Sequence, residues 1–232
     1  MGLFPLQSML ESRDSADDVA LQNLIPSLKT IGDLDDSAEE VAAEIYYVRG
    51  VTGSERVNLV GRSQGGTRTK SYQQVYGAPD AVARVVTIGG NFHGTTLNGF
   101  LQGPLPIIIN TPKLAAFLAS IAAIQQMEGS EFMQRLNALP DTSAGTLYNS
   151  IYSPTDVTVT SNSASQLTAG SGADVVNLDL GEVCGAEPVH PQSPKSKEAI
   201  ADIVWGLTRA EGEQSRACLL YTSDAADEGL GV

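Results

Sequence analysis

Histidine and cysteine are scarce in this 232-residue chain, with two of each. His93 and His190, far apart, and the cysteines Cys184 and Cys218 make no ligand set at recognised metal spacing, so no metal is expected. The cysteines allow at most one disulfide. Basic residues are also few: 14 Lys and Arg stand against 27 Asp and Glu, a net charge of −13. No Lys/Arg-rich run supplies the electrostatic footprint that nucleic acid requires, and no nucleic-acid partner is expected. Long apolar runs are missing too. The strongest, residues 114–124, is broken by Ser120 and falls short of the roughly 20 apolar residues of a membrane span, so no transmembrane segment is expected. Residues 1–10, followed by Glu11, Arg13 and Asp17, lack the basic start, apolar core and small-residue cleavage site of a signal peptide.

What is present suits a globular core, with 42% hydrophobic residues. Ser37-Ala38-Glu39-Glu40 reads as a capping box, and Val41, Ile45 and Val48 recur on one helical face, predicting a helix over about 38–49. Arg56-Val57-Asn58-Leu59-Val60 is a short β-branched run that reads as a buried strand. A helical stretch from Gln64 to about Tyr76 stops at Gly77 and Pro79, and a second strand is expected at Ala83–Ile88. Strand, helix and strand make a βαβ unit, hence a parallel sheet. Further strands are expected at Thr146–Tyr152 and Asp174–Leu180, and Ile200, Ile203, Val204 and Leu207 at helical spacing close the pattern. The fold class is α/β. Residues 98–140 form an insertion with Phe100, Leu101, Ile107 and Ile108 and a helix-like run over 113–127. It reads either as core helices or as an apolar cap. Residues 1–35 show no convincing strand, leaving a core over 36–216.

Gly61-Arg62-Ser63-Gln64-Gly65, between a strand and a helix, is a G-x-S-x-G turn in its required context. Small residues at both ends let the chain turn so tightly that the Ser63 hydroxyl stands at a helix N-terminus, with the Gln64 N–H able to face a developing oxyanion. Ser63 is therefore the candidate nucleophile. A serine hydroxyl needs a base, and only His93 and His190 titrate near neutrality. In such hydrolases the order is Ser, then Asp or Glu, then His, which favours His190 as base and leaves His93 as a pocket-lining or loop-bracing residue. Asp156, in the turn after the Thr146–Tyr152 strand, is the candidate acid that orients His190. Asp174 and Asp179 are its competitors.

Val57-Asn58-Leu59-Val60-Gly61-Arg62-Ser63-Gln64-Gly65-Gly66, Val85-Val86-Thr87-Ile88-Gly89-Gly90, His93-Gly94-Thr95-Thr96 and Ile151-Tyr152-Ser153-Pro154-Thr155-Asp156 together resemble the bacterial class 2 triacylglycerol lipases and esterases of the α/β-hydrolase fold. The resemblance covers about residues 35–209. It implies carboxylic ester hydrolysis without a cofactor, through an acyl-enzyme on Ser63, in a protein that acts outside the cell. Phe100, Leu101, Ile107 and Ile108 would then shape the acyl-binding surface. The family's usual histidine before the nucleophile is replaced here by Arg62. Its upstream strand ending in His-Gly, which carries the second oxyanion donor, is not found before Ser37. The expectation is a sheet lacking its N-terminal strands, with an open edge beside Arg56–Val60 that invites association. The alternative is a catalytically poor, hydrolase-like protein that binds apolar ligands. Finally, the run from Cys218 to Glu228 resembles the translation of an adapter used in transposase-based DNA sequencing. Residues 217–232 are accordingly expected to lie outside the natural fold, and a Cys184–Cys218 bond is not expected.

Overall fold

The computed structural model describes residues 32–97 and 120–218. Four strands, β1 (Val57–Arg62), β2 (Val82–Ile88), β3 (Leu147–Tyr152) and β4 (Asp174–Asp179), form one parallel sheet in the order β1-β2-β3-β4. Helix α1 (Ser37–Thr52) precedes the sheet. Helix α2 (Gln64–Ser71), continued by a π-helical turn at Tyr72–Tyr76, connects β1 to β2. Helices α3 (Ile121–Gln125) and α4 (Glu131–Asn137) lie between β2 and β3, and α5 (Leu180–Cys184) and α6 (Lys197–Thr208) follow β4. Parallel neighbours need such crossovers because a hairpin can join only antiparallel strands. The expected α/β class is the observed one. No described helix is long and apolar enough to cross a membrane.

Both faces of the sheet are covered. Val85 and Tyr148 join Val41, Ala42, Ile45 and Tyr72 in a cluster beneath α1 and the end of α2. Val86, Ile88, Ile151, Val176 and Leu178 point the other way, toward Leu180 and Ala199. Adjacent strand residues thus serve opposite faces, and each fully buried aliphatic side chain contributes about 1.5–3 kcal/mol. A smaller cluster joins Leu34 to Ala122, Phe132, Met133 and Leu136, so the described end of the insertion builds a core of its own. Phe100, Leu101, Ile107 and Ile108 lie outside the described residues.

β1 extends two residues beyond the expected strand because Gly61 and Arg62 keep register with Thr87 and Ile88. Among the described residues it is an edge strand, paired only with β2, and Val60 on it is 50% exposed.

Three expectations are corrected. The capping box does not form: the N-cap is Asp36, the Ser37 hydroxyl donates to the Leu34 carbonyl at 2.6 Å, and Glu40 pairs with Arg68 across to α2. The last helix is present, and its Ile203 and Leu207 pack against the core, but Ile200 and Val204 are exposed while Ala199, Asp202 and Gly206 are buried. Small residues face the sheet there because the approach is close. A Cβ on Gly206 would lie 2.8 Å from the Asn149 side chain.

Cys184 and Cys218 form a disulfide, with Cα atoms 5.0 Å apart, so residue 218 belongs to the described fold. Arg216 explains how the chain returns there: it donates to the Ala201 carbonyl at 2.8 Å, and its Nε lies 2.8 Å from Asp202 Oδ1. Burial raises the Asp202 pKa to about 6 despite that cation. Residues 1–31 and 219–232 are outside the described residues.

Candidate active site

The turn between β1 and α2 shows why its sequence is glycine-rich. A Cβ on Gly61 would meet the Gly65 carbonyl carbon at 2.9 Å, and one on Gly66 would meet Gly90 Cα at 2.9 Å. Gly65 itself has open space, so its smallness is not what the turn needs. The close contacts are those of Gly61 and Gly66.

Ser63 sits at φ 55°, ψ −117°, a conformation costly for a residue with a side chain. Hydrogen bonds hold it there. Its N–H donates to the Ile88 carbonyl at 3.1 Å, while its carbonyl accepts from the N–H groups of Gly66 at 2.9 Å and Asn91 at 3.0 Å. Gln64 opens α2, so its N–H lies at the positive end of the helix dipole.

The acid and base candidates come together from residues 34 positions apart. The Nδ1 of His190 lies 2.6 Å from Asp156 Oδ2, and both residues are buried. The other carboxylate oxygen, Oδ1, accepts from the N–H groups of Thr158 at 2.8 Å and Val159 at 3.0 Å. With Oδ2 as acceptor, Nδ1 carries the ring proton, leaving Nε2 as the nitrogen that can take another. The pair lies against the sheet end beside Ser63: a Cβ on Gly89, the residue after Ile88, would be 3.1 Å from both Asp156 Oδ2 and His190 Nδ1.

Around the histidine, Arg62 Nη2 donates to the His190 carbonyl at 2.9 Å. The Ser193 hydroxyl donates to the same oxygen at 2.9 Å, and the Thr155 hydroxyl donates to the Glu187 carbonyl at 2.7 Å. Burial lowers the pKa of Arg62, against the pull of Asp156. Sequence reasoning treated Arg62 only as a departure from a family pattern. Nothing local to residues 61–65 signals a partner 128 positions away.

The competing candidates have structural partners. Asp174 pairs with Arg209 at 3.0 Å, and Asp179 caps α5 by accepting from the Gly181 and Glu182 N–H groups. His93 is a loop brace, as expected. Its Nε2 is 3.0 Å from the Gln166 carbonyl and 3.3 Å from Asp141 Oδ2, its Nδ1 is 3.2 Å from Asn137 Oδ1, and its own carbonyl accepts from Asn137. Asp141, chiefly through its hydrogen bond, raises the His93 pKa.

A small cleft open to solvent, with a cavity volume of about 30 Å³, lies beside Ser63. Leu97, Ala123 and Val159 supply apolar lining, and Asn91, Thr95, Gln126 and Thr158 supply polar groups. Ala123 and Gln126 belong to the insertion, which thus contributes lining of the cavity as well as core. Among the described residues no cluster of His, Cys, Asp or Glu could hold a metal ion.

No protein-family model matches the chain. A triacylglycerol lipase of Vibrio cholerae is 35% identical over 68 residues, 29% of this chain and 21% of that protein. A triacylglycerol lipase of Pseudarthrobacter phenanthrenivorans is 36% identical over 83 residues, 34% of this chain and 25% of that protein. The matches span a quarter or less of those relatives' length. The crystal structure of Aspergillus fumigatus lipase B is similar to this chain with a TM-score of 0.57 and 25% identity, over 72% of this chain and 39% of that one. The chain is thus similar in part of its sequence to triacylglycerol lipases, and in its parallel-sheet architecture to a lipase of solved structure.

Proposed function

We propose that this protein hydrolyses carboxylic esters with Ser63 as nucleophile, His190 as base and Asp156 as the acid that orients it. The observation that carries the reading is the 2.6 Å hydrogen bond from His190 to Asp156, beside a serine held at positive φ before a helix. His190 Nε2 takes the hydroxyl proton as Ser63 Oγ attacks the ester carbonyl. The Gln64 N–H supports the developing oxyanion; no second donor is assigned among the described residues. Collapse of the tetrahedral intermediate releases the alcohol, protonated by His190, and leaves an acyl-enzyme. Water, deprotonated by the same histidine, then releases the acid. Asp156 fixes the tautomer and stabilises the imidazolium formed in each step.

Acylglycerols or shorter esters are the proposed substrates, by the family resemblance, with Leu97, Ala123 and Val159 of the cleft beside Ser63 against the apolar part. Phe100, Leu101, Ile107 and Ile108 are proposed to extend that surface. Action outside the cell, as the family resemblance implies, belongs to the same proposal. The edge of β1, unpaired among the described residues, supports a tendency to associate.

The test is labelling by a fluorophosphonate probe together with p-nitrophenyl ester hydrolysis. Wild-type protein should label at Ser63 and turn over ester, and Ser63→Ala should do neither. Apolar ligand binding without labelling would favour the hydrolase-like binding protein instead.

A further inference from the structure

We infer that Arg62 is a positioning residue that ties the His190 loop to the nucleophile turn. The inference rests on the serine-hydrolase reading above and adds a group to it. Arg62 stands between Gly61 and Ser63 at the end of β1, in register with Ile88, whose carbonyl holds the Ser63 N–H. Its guanidinium reaches the His190 carbonyl at 2.9 Å, and the Ser193 hydroxyl donates to the same oxygen at 2.9 Å. A carbonyl oxygen has two lone pairs, so these two donors saturate it and fix the orientation of the His190 peptide.

His190 is therefore held at two points, the ring by Asp156 and the backbone by Arg62 and Ser193. Asp156 and Ser193 set the ring and the loop shape without reference to the nucleophile. Arg62 is one covalent step from Ser63, so its hydrogen bond is what measures the loop against the serine. The contact is charge-assisted, and it joins an exposed arginine to a buried His190. A guanidinium suits this place because it stays protonated even when burial lowers its pKa. Transfer of a proton from Ser63 to His190 depends on that separation, and misplacement of reacting groups by about 1 Å can cost on the order of 10²-fold.

The experiment measures the second-order rate constant for fluorophosphonate labelling of the 232-residue chain, alongside the fraction labelled at completion and the melting temperature. Labelling forms the Ser63 Oγ–P bond, breaks P–F, and sends the hydroxyl proton to His190. Arg62→Met should lower the rate constant roughly 10- to 100-fold while the labelled fraction stays near that of wild type. Arg62→Lys, which keeps a cationic donor on a shorter reach, should recover part of the loss. In ester hydrolysis the loss should fall on kcat with KM little changed. A merely structural role would lower the melting temperature or the labelled fraction and leave the rate constant of the folded molecules alone; that result overturns the inference. Should Arg62→Met not fold, Arg62→Gln is read by the same criteria. Wild-type protein that fails to label removes the serine-hydrolase reading and this inference with it. Wild-type labelling that Ser63→Ala abolishes and Arg62→Met leaves at the wild-type rate removes only this inference.

Discussion

Each of the two histidines in this chain meets an aspartate, and the pairs differ in what surrounds them. His190 gives one ring nitrogen to Asp156, whose other oxygen is occupied by backbone N–H groups. His93 has oxygen acceptors at both ring nitrogens, and its Asp141 also binds Lys70 at 2.7 Å and the Thr168 N–H at 2.9 Å. A histidine with acceptors on both sides is a double donor, which favours the imidazolium. A histidine with one acceptor keeps a nitrogen that can cycle a proton. The same residue pair thus serves as a brace in one place and as a candidate catalytic unit in the other, and the second acceptor decides which.

The largest effects should separate the pairs by activity. His190→Ala and Asp156→Asn are each expected to lower kcat/KM for p-nitrophenyl esters by roughly 10³-fold or more. Under the same assay His93→Gln should change it by less than about threefold, since His93 is half-buried in a loop brace and is not proposed to touch the reacting groups. A larger loss at His93 than at His190 would reverse the assignment of the base.

Next in size is stability at the brace. The side chains of Lys70 and Asp141 are 1% and 9% exposed. Asp141→Asn leaves the buried Lys70 ammonium without its counter-charge and should cost about 3 kcal/mol in urea unfolding, the scale for breaking one side of a buried pair. Asp174→Asn, on the similarly buried Arg209 pair, is the comparison to run beside it.

The smallest effect is pH-dependent. Asp141 raises the His93 pKa, so His93 contributes stability fully below about pH 6.5, and the contribution is lost as pH rises through its folded value. Burial opposes ionisation of Asp141, but hydrogen bonds from His93 and Lys70 hold its carboxyl well below the usual carboxylate range. Its contribution is present above about pH 4 and is lost as pH falls below that. The brace is strongest between about pH 4 and 6.5. Asp202, raised to about 6, also loses stability as pH rises toward 6. The difference between wild type and His93→Gln removes that shared slope. Their urea midpoints should differ most below pH 6 and converge above pH 8; a constant difference across that range would show that His93 acts without its charge.

The strand-turn-helix around Ser63 could be read from sequence because every determinant lies within a few residues: a β-branched run, then Gly61 and Gly66 where backbones approach, then a helix start. The four strands were legible for a similar reason, since a short β-branched run is a local property, although β1, read as buried, has Asn58, Val60 and Arg62 exposed at the edge. The orientation of α6 was not. Of its four spaced apolar residues Ile203 and Leu207 pack on the core, but Ile200 and Val204 are exposed and the Ala199 and Gly206 side takes the sheet, because the Asn149 side chain beneath Gly206 allows no larger residue. The capping box failed similarly, when the Leu34 carbonyl and Arg68 competed for Ser37 and Glu40.

By itself, then, the sequence determined the α/β class, the tight turn at Ser63 and the short list of titratable groups, all set by short-range sterics and by residue chemistry. Only the tertiary structure decided which histidine keeps a nitrogen for protons, that Arg62 reaches the His190 carbonyl, and that Cys184 meets Cys218. Those pairings join residues 34 to 128 positions apart. Chain crossovers and packing on both faces of the sheet set such distances, and no local pattern encodes them.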